Sequence, residues 1–211
     1  MLEKSIHIAL RYIADEYHIN LKANTIQEDL EDLVVGLSSI GNDYSPNIVV
    51  LIDEYDAPIV NLPKGSEIEQ ENIKVMKDFF MTLKSLNSYF KLTFITGVSK
   101  FILSDVFSGA SHLNDLTITK SADAMFGYTQ EEIIASFSAD IEKVRLQWSK
   151  YEGNDITTKE VLTSIQSRYN GYQFHTKGAS VYNPWSTLKF LESGELSNYW
   201  YGSGNPQILL T

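Results

Sequence analysis

The spacing of apolar residues predicts two amphipathic helices at the start of the chain. Over residues 2–17, apolar side chains recur at the three- and four-residue intervals of one helical face, at Ile6, Ala9, Leu10 and Ile13. A second helix is predicted to begin at Thr25, because Thr25-Ile26-Gln27-Glu28 has the form of a capping box. Gly41-Asn42 is expected to end it. Its apolar face is predicted to consist of Leu30, Leu33, Val34, Leu37 and Ile40.

Two short apolar runs predict the strands of a parallel sheet. Residues 47–53 and 92–96 are rich in β-branched side chains and show no strict alternation with polar ones. That pattern is typical of strands that are buried on both faces. Between them, a helix over residues 67–89 is predicted to point four apolar residues inward, at Ile73, Met76, Phe80 and Leu83. The alternation of strands and helices favours an α/β fold with a parallel sheet.

The character of the sequence changes near residue 126. Before it, a short helix over residues 101–107 and a short strand over residues 116–118 are predicted to complete an α/β core. After it, Thr129-Gln130-Glu131-Glu132 has the form of a second capping box and opens a helical region that reaches about residue 167. From Tyr169 onward aromatic residues crowd among Gly, Asn and Pro, and they are predicted to form the core of a small domain rather than a sugar- or partner-binding surface. We therefore predict two domains, residues 1–125 and residues 126–211.

Composition excludes several kinds of site and partner. The 211 residues include no cysteine, which rules out disulfide scaffolds, thiolate metal sites and cysteine nucleophiles. The net charge of −10 opposes binding to a phosphate backbone, so nucleic acid is not expected as a partner of this segment. Neither a membrane-length apolar run nor a signal peptide is visible, and we interpret the protein as cytoplasmic, without a membrane partner.

The strongest candidate site is the end of the first predicted strand, Ile48-Val49-Val50-Leu51-Ile52-Asp53-Glu54. An apolar strand that ends in Asp-Glu is what a Walker B motif requires, and ligands of open α/β sheets bind at the carboxyl ends of strands. In that role Asp53, with Glu54 beside it, holds Mg²⁺, and Glu54 polarises the water that attacks the γ-phosphate of ATP. The alternative is an acidic turn after a strand. Asp56 adds a third carboxylate, and three such groups suit a hard cation without nucleotide, although a solvated acidic loop is the favoured interpretation.

The end of the second strand adds polar residues beside this motif. In P-loop ATPases the strand next to Walker B carries a polar residue that senses the γ-phosphate, and Thr96 and Ser99 are the candidates here. Lys100 supplies a positive charge that suits phosphates. The alternative is an ordinary turn with Ser99 as a helix N-cap. The phosphate-binding sequence G-x-x-x-x-G-K-[ST] does not occur in the chain, so these residues alone do not complete a nucleotide site.

Other catalytic arrangements have less support in the sequence. The four histidines show no metal-ligand spacing, and the G-x-S-x-G elbow of serine hydrolases does not occur. A nuclease cluster of the Asp…Glu-x-Lys type is not evident, because Asp155-Ile156-Thr157-Thr158-Lys159-Glu160 holds its acids and lysine in the wrong order. DNA cleavage by this chain is therefore disfavoured.

A series of motifs in one order resembles the bacterial AAA-ATPase-like family. The motifs extend over about residues 48–206, which makes the series far more specific than any single motif. They are residues 50–59 (VLIDEYDAPI), 94–101 (FITGVSKF), 106–109 (VFSG), 114–117 (NDLT), 126–129 (FGYT) with Glu131-Glu132, 169–174 (YNGYQF) and 181–186 (VYNPWS).

This resemblance implies a fold and a set of site residues. The implied fold is a P-loop NTPase-like parallel sheet core with helices, followed by a helical lid from about Phe126 and a small aromatic-rich C-terminal subdomain. Asp53 matches the Mg²⁺-coordinating position and Glu54 the catalytic position. Thr96, and less directly Ser99 and Lys100, match the tip of the sensor strand. ATP and Mg²⁺ are the cofactors that the resemblance implies for the intact protein.

The resemblance also implies that the chain is a piece of a longer protein. Family members carry a Walker A region before the part that matches this chain and a PD-(D/E)XK nuclease-like domain after it, and these two parts are the partners expected here. Mg-ATP binding and hydrolysis are expected of the intact protein, with little or no activity in this chain alone. The alternative is a non-catalytic scaffold or interaction module derived from a P-loop ATPase.

Overall fold

The computed structural model describes residues 1–22, 25–40, 47–98 and 113–199. Contacts between Cα atoms divide the chain into two compact units, Met1–Asn114 and Asp115–Thr211. We call them the N-terminal unit and the C-terminal unit. The predicted domain boundary near residue 126 lies further along the chain and stays a prediction. Across the described ranges, no helix is both long enough and apolar enough to cross a membrane.

The N-terminal unit combines helices with two strands. The two long helices and the strand predicted over residues 47–53 are confirmed, and so is the strand predicted over residues 92–96, which begins earlier, at Phe90. The predicted helix over residues 67–89 ends at Ser85, before a 3₁₀ turn. Ser66 caps that helix by accepting the N–H of Glu69 at 3.2 Å. The predicted end of the second helix at residues 41–42 and the predicted helix at residues 101–107 lie outside the described residues. The elements are α1 (Leu2–Glu16), α2 (Ile26–Ile40), β1 (Ile48–Ile52), α3 (Ala57–Val60), α4 (Glu67–Ser85), the 3₁₀ turn (Asn87–Tyr89) and β2 (Phe90–Ile95).

Strands β1 and β2 pair in parallel, as predicted. Val49 lies opposite Leu92, and Ile52 lies opposite Ile95 at the carboxyl ends of both strands. In the part of the chain that the structure describes, this sheet has two strands. The mixed α/β class is thereby confirmed, whereas a P-loop type of core stays a prediction.

One prediction about the sheet is wrong, because its strands are not buried on both faces. Alternate residues of β1 differ in exposure, and Leu51 on the outer face is 70% exposed. Its neighbours on that face, Val49 and Leu92, are each about half exposed. The inner side chains Ile48, Val50 and Ile52 pack on the core that the helices provide. In the described residues, the core covers only the inner face of the sheet. The outward-pointing residues of β1 are therefore exposed, even though the strand is apolar along its whole length.

The core of the N-terminal unit lies between its helices and the inner face of the sheet. Of the four residues predicted to point inward from α4, Met76, Phe80 and Leu83 are buried and Ile73 packs at the edge of the core. This confirms the helical periodicity. The buried set is Leu10, Ala14, Ile26, Leu30, Leu33, Val34, Tyr55, Ile59, Met76, Phe80, Leu83, Leu86 and Phe90.

The C-terminal unit consists mainly of helices joined by short connections. The predicted capping box at Thr129 is confirmed, since its hydroxyl accepts the Glu132 N–H and the Glu132 carboxylate accepts the Thr129 N–H. The predicted helical region is divided into three helices, with breaks at Phe137 and at the left-handed Gly153. The elements are α5 (Gln130–Ser136), α6 (Ser138–Glu152), α7 (Thr158–Tyr169), β3 (Asn170–Tyr172), β4 (Val181–Tyr182) and α8 (Pro184–Ser193).

The strand predicted over residues 116–118 is not present. These residues form part of a turn, in which the Asp115 carboxylate accepts both the N–H and the hydroxyl of Thr117. An Asp side chain that bonds the backbone two residues ahead offers the chain an alternative to a strand. The apolar pair Leu116 and Ile118 was therefore a misleading signal.

Aromatic residues contribute to the core of the C-terminal unit, as predicted. Tyr169, Tyr182 and Phe190 are buried, and Trp148 packs edge-on against Phe190. Tyr172 and Trp185 remain about half exposed. The buried set is Ile133, Ile141, Val144, Val161, Ile165, Tyr169, Tyr182, Phe190 and Leu191.

Candidate functional site

The carboxyl ends of β1 and β2 lie side by side, and the hydrogen bonding between them continues past the strands. The Thr96 N–H donates to the carbonyl oxygen of Ile52 at 2.8 Å. The Tyr55 N–H in turn donates to the Thr96 carbonyl at 2.9 Å. The segments that follow the two strands are therefore held together, and Asp53, Glu54 and Thr96 lie at a common edge of the sheet.

Asp53 and Thr96 are in direct contact at this edge. The Thr96 hydroxyl donates a hydrogen bond to Oδ1 of Asp53. The Glu54 N–H donates to the same Oδ1 at 3.0 Å and lies 3.3 Å from the Thr96 hydroxyl oxygen. In the described part of the chain, Oδ2 of Asp53 accepts no hydrogen bond. The structure thus brings together three residues that the sequence placed on two separate strands.

Glu54 has a backbone conformation that is unusual for its residue type. Its φ of 50° lies in the left-handed region, which costs a residue other than glycine roughly 1 kcal/mol or more. The turn is held by the bond from the Ala57 N–H to the Glu54 carbonyl at 2.8 Å, and by the bonds that the Glu54 N–H makes. The carboxylate of Glu54 is exposed. Backbone strain therefore occurs at the residue predicted to be catalytic.

Asp56, the third acid of the motif, is not part of a solvated loop. The residue is 1% exposed. Both of its carboxylate oxygens lie within hydrogen-bond distance of the Val98 N–H, at 3.0 and 3.2 Å. The favoured sequence interpretation, an acidic loop in water, is wrong at this position, because the loop folds back and buries the carboxylate against the segment after β2.

Tyr55 lies beside this buried carboxylate. Its ring packs edge-on against Phe80, with the ring centroids 6.5 Å apart. Burial, and next the negative charge of Asp56, raise the pKa of Tyr55 to about 12. The phenol therefore stays neutral at physiological pH and is not a candidate base.

Two of the predicted site residues lie outside the described residues. Ser99 and Lys100 directly follow Val98, the last described residue of this segment. Their suggested roles at the sensor strand tip stay predictions. The geometry of the site is established for Asp53, Glu54 and Thr96.

Asp53 and Glu54 are too few to enclose a metal with protein ligands alone, but they suit Mg²⁺. No group of three or more metal-ligating side chains occurs in the described ranges. Mg²⁺ is commonly held by one or two carboxylates together with water and substrate phosphates. Asp53 and the exposed Glu54 match that requirement.

Sequence reasoning missed a hydrogen-bonded contact between a part-buried histidine and a buried aspartate in the same unit. His7 of α1 and Asp29 of α2 meet at 2.6 Å between Nδ1 and Oδ2, and their side chains are 17% and 0% exposed. Among the residues that the structure describes, buried Oδ1 of Asp29 has no hydrogen-bond partner. The available signal was the position of each polar residue on an apolar helical face, three residues before Leu10 and three after Ile26.

Together, the helices on the inner face of the sheet, the parallel strand pair and the acids at its carboxyl edge define an α/β protein with an acidic strand-end site. Residues 1–107 match the model of a family described as predicted AAA-ATPase. The chain belongs to this family.

One curated relative is an uncharacterized protein from the vnfD 5′ region of Azotobacter chroococcum mcd 1. It is 29% identical over 163 residues, which is 77% of this chain. The aligned part is 28% of the relative, so the chain spans less than a third of that protein's length. No solved structure matches the chain.

Proposed function

We propose that this chain provides the magnesium-carboxylate part of an ATPase site, in a protein that binds and hydrolyses Mg-ATP. The observation that carries the proposal is the contact of Asp53 and Glu54 with Thr96 at the carboxyl edge of two parallel strands. Membership of the predicted AAA-ATPase family supports the same chemistry. Each residue then has a separate task.

Asp53 is the proposed ligand of Mg²⁺. Its Oδ1 is held by the Thr96 hydroxyl and the Glu54 N–H, so the carboxylate is oriented before a cation arrives. Its Oδ2 is the oxygen left for the metal or for a metal-bound water. When bound, Mg²⁺ supplies positive charge that stabilises the charge developing on the transferred phosphoryl group.

Glu54 is the proposed general base. Its carboxylate is exposed, so water has access to it, while the backbone beneath it is fixed by the tight turn. In this role an oxygen of Glu54 accepts a proton from the attacking water. Thr96 positions Asp53 and ends the strand beside the acids, as expected of a sensor residue.

The residues of this chain do not by themselves fit the phosphates of ATP. The sequence has no G-x-x-x-x-G-K-[ST] loop to surround them with backbone N–H groups. We therefore place the phosphate-binding loop in sequence beyond these 211 residues, which is consistent with a relative of much greater length. A nuclease-like domain in that longer protein stays a proposal that rests on the resemblance.

The lack of a G-x-x-x-x-G-K-[ST] sequence in these 211 residues favours a second candidate function. A chain without a phosphate-binding loop could serve as a non-catalytic scaffold that keeps the fold and has lost turnover. The two candidates differ in what they predict for the acidic residues, since a scaffold has no use for the proton acceptor at Glu54.

The deciding experiment is Glu54→Gln in the longer protein that contains this chain. Loss of the general base is expected to lower ATP hydrolysis by about a hundredfold or more, while ATP binding persists because Asp53 is intact. Glu67→Gln, an exposed acid at the start of α4, is the matched control and should hydrolyse ATP at the wild-type rate. Undiminished turnover in Glu54→Gln refutes the role of Glu54. Absence of any turnover in the wild-type protein favours the scaffold.

A further inference from the structure

Asp56 stands at a position where an aspartate usually caps its own helix, yet it does not do so. It is the N-cap residue of α3, and its side chain makes no capping bond to that helix. Its φ and ψ of −89° and −7° are helical rather than extended, which turns the carboxylate away from the first N–H groups of α3. The bonds that its side chain does make are to a different part of the structure.

The carboxylate instead binds the backbone that follows β2. Both oxygens accept from the Val98 N–H, at 3.0 and 3.2 Å, across 42 positions of sequence. A fully buried carboxylate is costly unless hydrogen bonds compensate it. The Val98 N–H supplies part of that compensation, so the carboxylate and the segment after β2 are held to each other.

Gly97 shows how closely the two segments approach each other. A Cβ atom at this position would lie 2.2 Å from the ring of Tyr55 and 2.9 Å from Oδ1 of Asp56. No side chain fits in that space without displacing one of them. The backbone of residues 96–98 is therefore pressed against Tyr55 and Asp56, and the contact is specific to glycine.

We propose that Asp56 is a positioning residue, whose buried carboxylate holds the Thr96–Val98 segment in place so that the Thr96 hydroxyl orients Asp53. Asp56 is not itself a cation ligand. This proposal rests on the proposed function, because orientation of Asp53 matters only if Asp53 binds a cation. Loss of the bond between Asp56 and the Val98 N–H would let the backbone after Thr96 move. The hydrogen bond from the Thr96 hydroxyl to Asp53 would then be held less firmly.

The test uses the 211-residue chain and two measurements. Mn²⁺ affinity, from electron paramagnetic resonance of the free ion, reports on the acidic site. Amide hydrogen exchange at Val98, from NMR, reports on the hydrogen bond itself. The variants are Asp56→Ala, which removes the acceptor, and Asp56→Asn, which keeps one acceptor oxygen without the charge. Asp53→Asn identifies the cation site, and the exposed Asp140→Ala is the control for loss of a carboxylate elsewhere.

Asp56→Ala is expected to weaken Mn²⁺ binding by about tenfold or more, as is typical when a group that orients a metal ligand is removed. Exchange of the Val98 amide is expected to accelerate by a similar factor. Asp56→Asn and Asp140→Ala should remain within about twofold of wild type in both measurements. That pattern would show that the hydrogen bond, and not the charge, supports the site.

Three results overturn the proposal. One is wild-type Mn²⁺ affinity in Asp56→Ala, and another is an equal loss in Asp56→Asn, which would mean that the charge acts on the cation directly. The third needs no variant, namely a Val98 amide that exchanges as fast as an unstructured peptide in the wild-type chain. If wild type and Asp53→Asn bind Mn²⁺ equally, the proposed function fails, and the exchange rates alone then decide whether Asp56 holds Val98.

Discussion

The two units bury different kinds of polar side chain. In the described residues, the N-terminal unit buries two carboxylates, Asp29 and Asp56, besides the hydroxyl residue Thr82, whereas the buried polar residues of the C-terminal unit are the neutral Ser186 and Thr187. A buried carboxylate must be paired or hydrogen-bonded to be tolerated, and a hydroxyl costs much less. Each carboxylate does have a partner in another segment, at His7 and at Val98. Burial of these two carboxylates thus lowers the stability of the N-terminal unit unless their partners compensate it, and the candidate site lies in the same unit.

The apolar surfaces of the two units differ in a related way. The sheet of the N-terminal unit leaves an apolar outer face exposed, most strongly at Leu51. The C-terminal unit surrounds its core with helices whose ends are closed by capping boxes at Thr129 and Thr157. The comparison suggests that stability depends on the hydrogen bonding of buried carboxylates in one unit and on caps and apolar packing in the other. The substitutions below test it.

The largest effect is expected from His7→Ala in the N-terminal unit. The change leaves the carboxylate of Asp29 buried without its partner, which typically costs about 3 kcal/mol or more. Urea unfolding, followed by amide exchange in α1 and α2, measures this loss. Tyr12→Ala on the same helix, where the side chain is 74% exposed, is the control and should change stability by about 0.5 kcal/mol at most.

A second variant shows how much of the stability lost in His7→Ala comes from the unpaired carboxylate of Asp29 and how much from lost packing of the imidazole. Asp29→Asn combined with His7→Ala removes the unpaired charge, so the double variant should regain part of the stability. A double variant no more stable than His7→Ala would show that packing of the imidazole, and not its pairing with Asp29, holds the two helices.

A smaller effect is expected from Thr157→Ala in the C-terminal unit. Thr157 caps α7, since its hydroxyl accepts the Glu160 N–H at 3.3 Å and the Glu160 carboxylate accepts the Thr157 N–H at 2.7 Å. Removal of such a hydroxyl costs about 1 kcal/mol, measured by thermal and urea unfolding. Thr163→Ala, an exposed residue inside the same helix, should have almost no effect. Equal losses in both would contradict the assignment of the cap.

The same cap predicts a dependence on pH. Bonds from the Thr157 N–H, and then from its hydroxyl, lower the pKa of Glu160. A carboxylate whose pKa is lowered by folding stabilises the folded state fully above the pKa of an unfolded glutamate, about 4.3. That contribution is lost as the pH falls through the lower folded pKa. Glu160→Gln should therefore lose stability relative to wild type at pH 6 and approach it near pH 3.

The smallest effect is expected from Leu51→Thr on the outer face of the sheet. Because this side chain is 70% exposed, little apolar area is lost, and stability should change by about 0.5 kcal/mol or less. Val50→Thr, whose side chain packs on the core, is the comparison and should cost clearly more. A loss of 2 kcal/mol or more in Leu51→Thr would show that the outer face is covered in solution, and would remove the contrast drawn between the two units.

The local elements of the fold were predictable to different degrees. Helices α1, α2 and α4 and the capping box at Thr129 follow from spacing and from residue types within a few positions. The burial of the sheet on both faces did not follow, because exposure of Leu51 depends on what packs there and not on the run itself. The strand expected at residues 116–118 failed for a local reason, since the side chain of Asp115 bonds the backbone of Thr117 and forms a turn.

The candidate site was predictable as a set of residues but not as a geometry. An apolar strand ending in Asp53-Glu54, and a second strand ending in Thr96, were enough to propose a shared edge of the sheet. The left-handed backbone of Glu54 and the burial of Asp56 were not visible in the sequence. Asp56 looked like one acid among three, and its burial and its bond from the Val98 N–H were not signalled by the residues around it.

The sequence by itself therefore determined the three long helices and the two paired strands of the N-terminal unit, and that two acids follow the first strand. These properties depend on the intrinsic preferences of neighbouring residues and on apolar spacing. Only the tertiary structure decided the pairing of Asp53 with Thr96, of Asp56 with Val98 and of His7 with Asp29. Each pair is separated by 22 or more positions, so its hydrogen bond exists only once packing has brought the two segments together and excluded the water that would otherwise bind both groups.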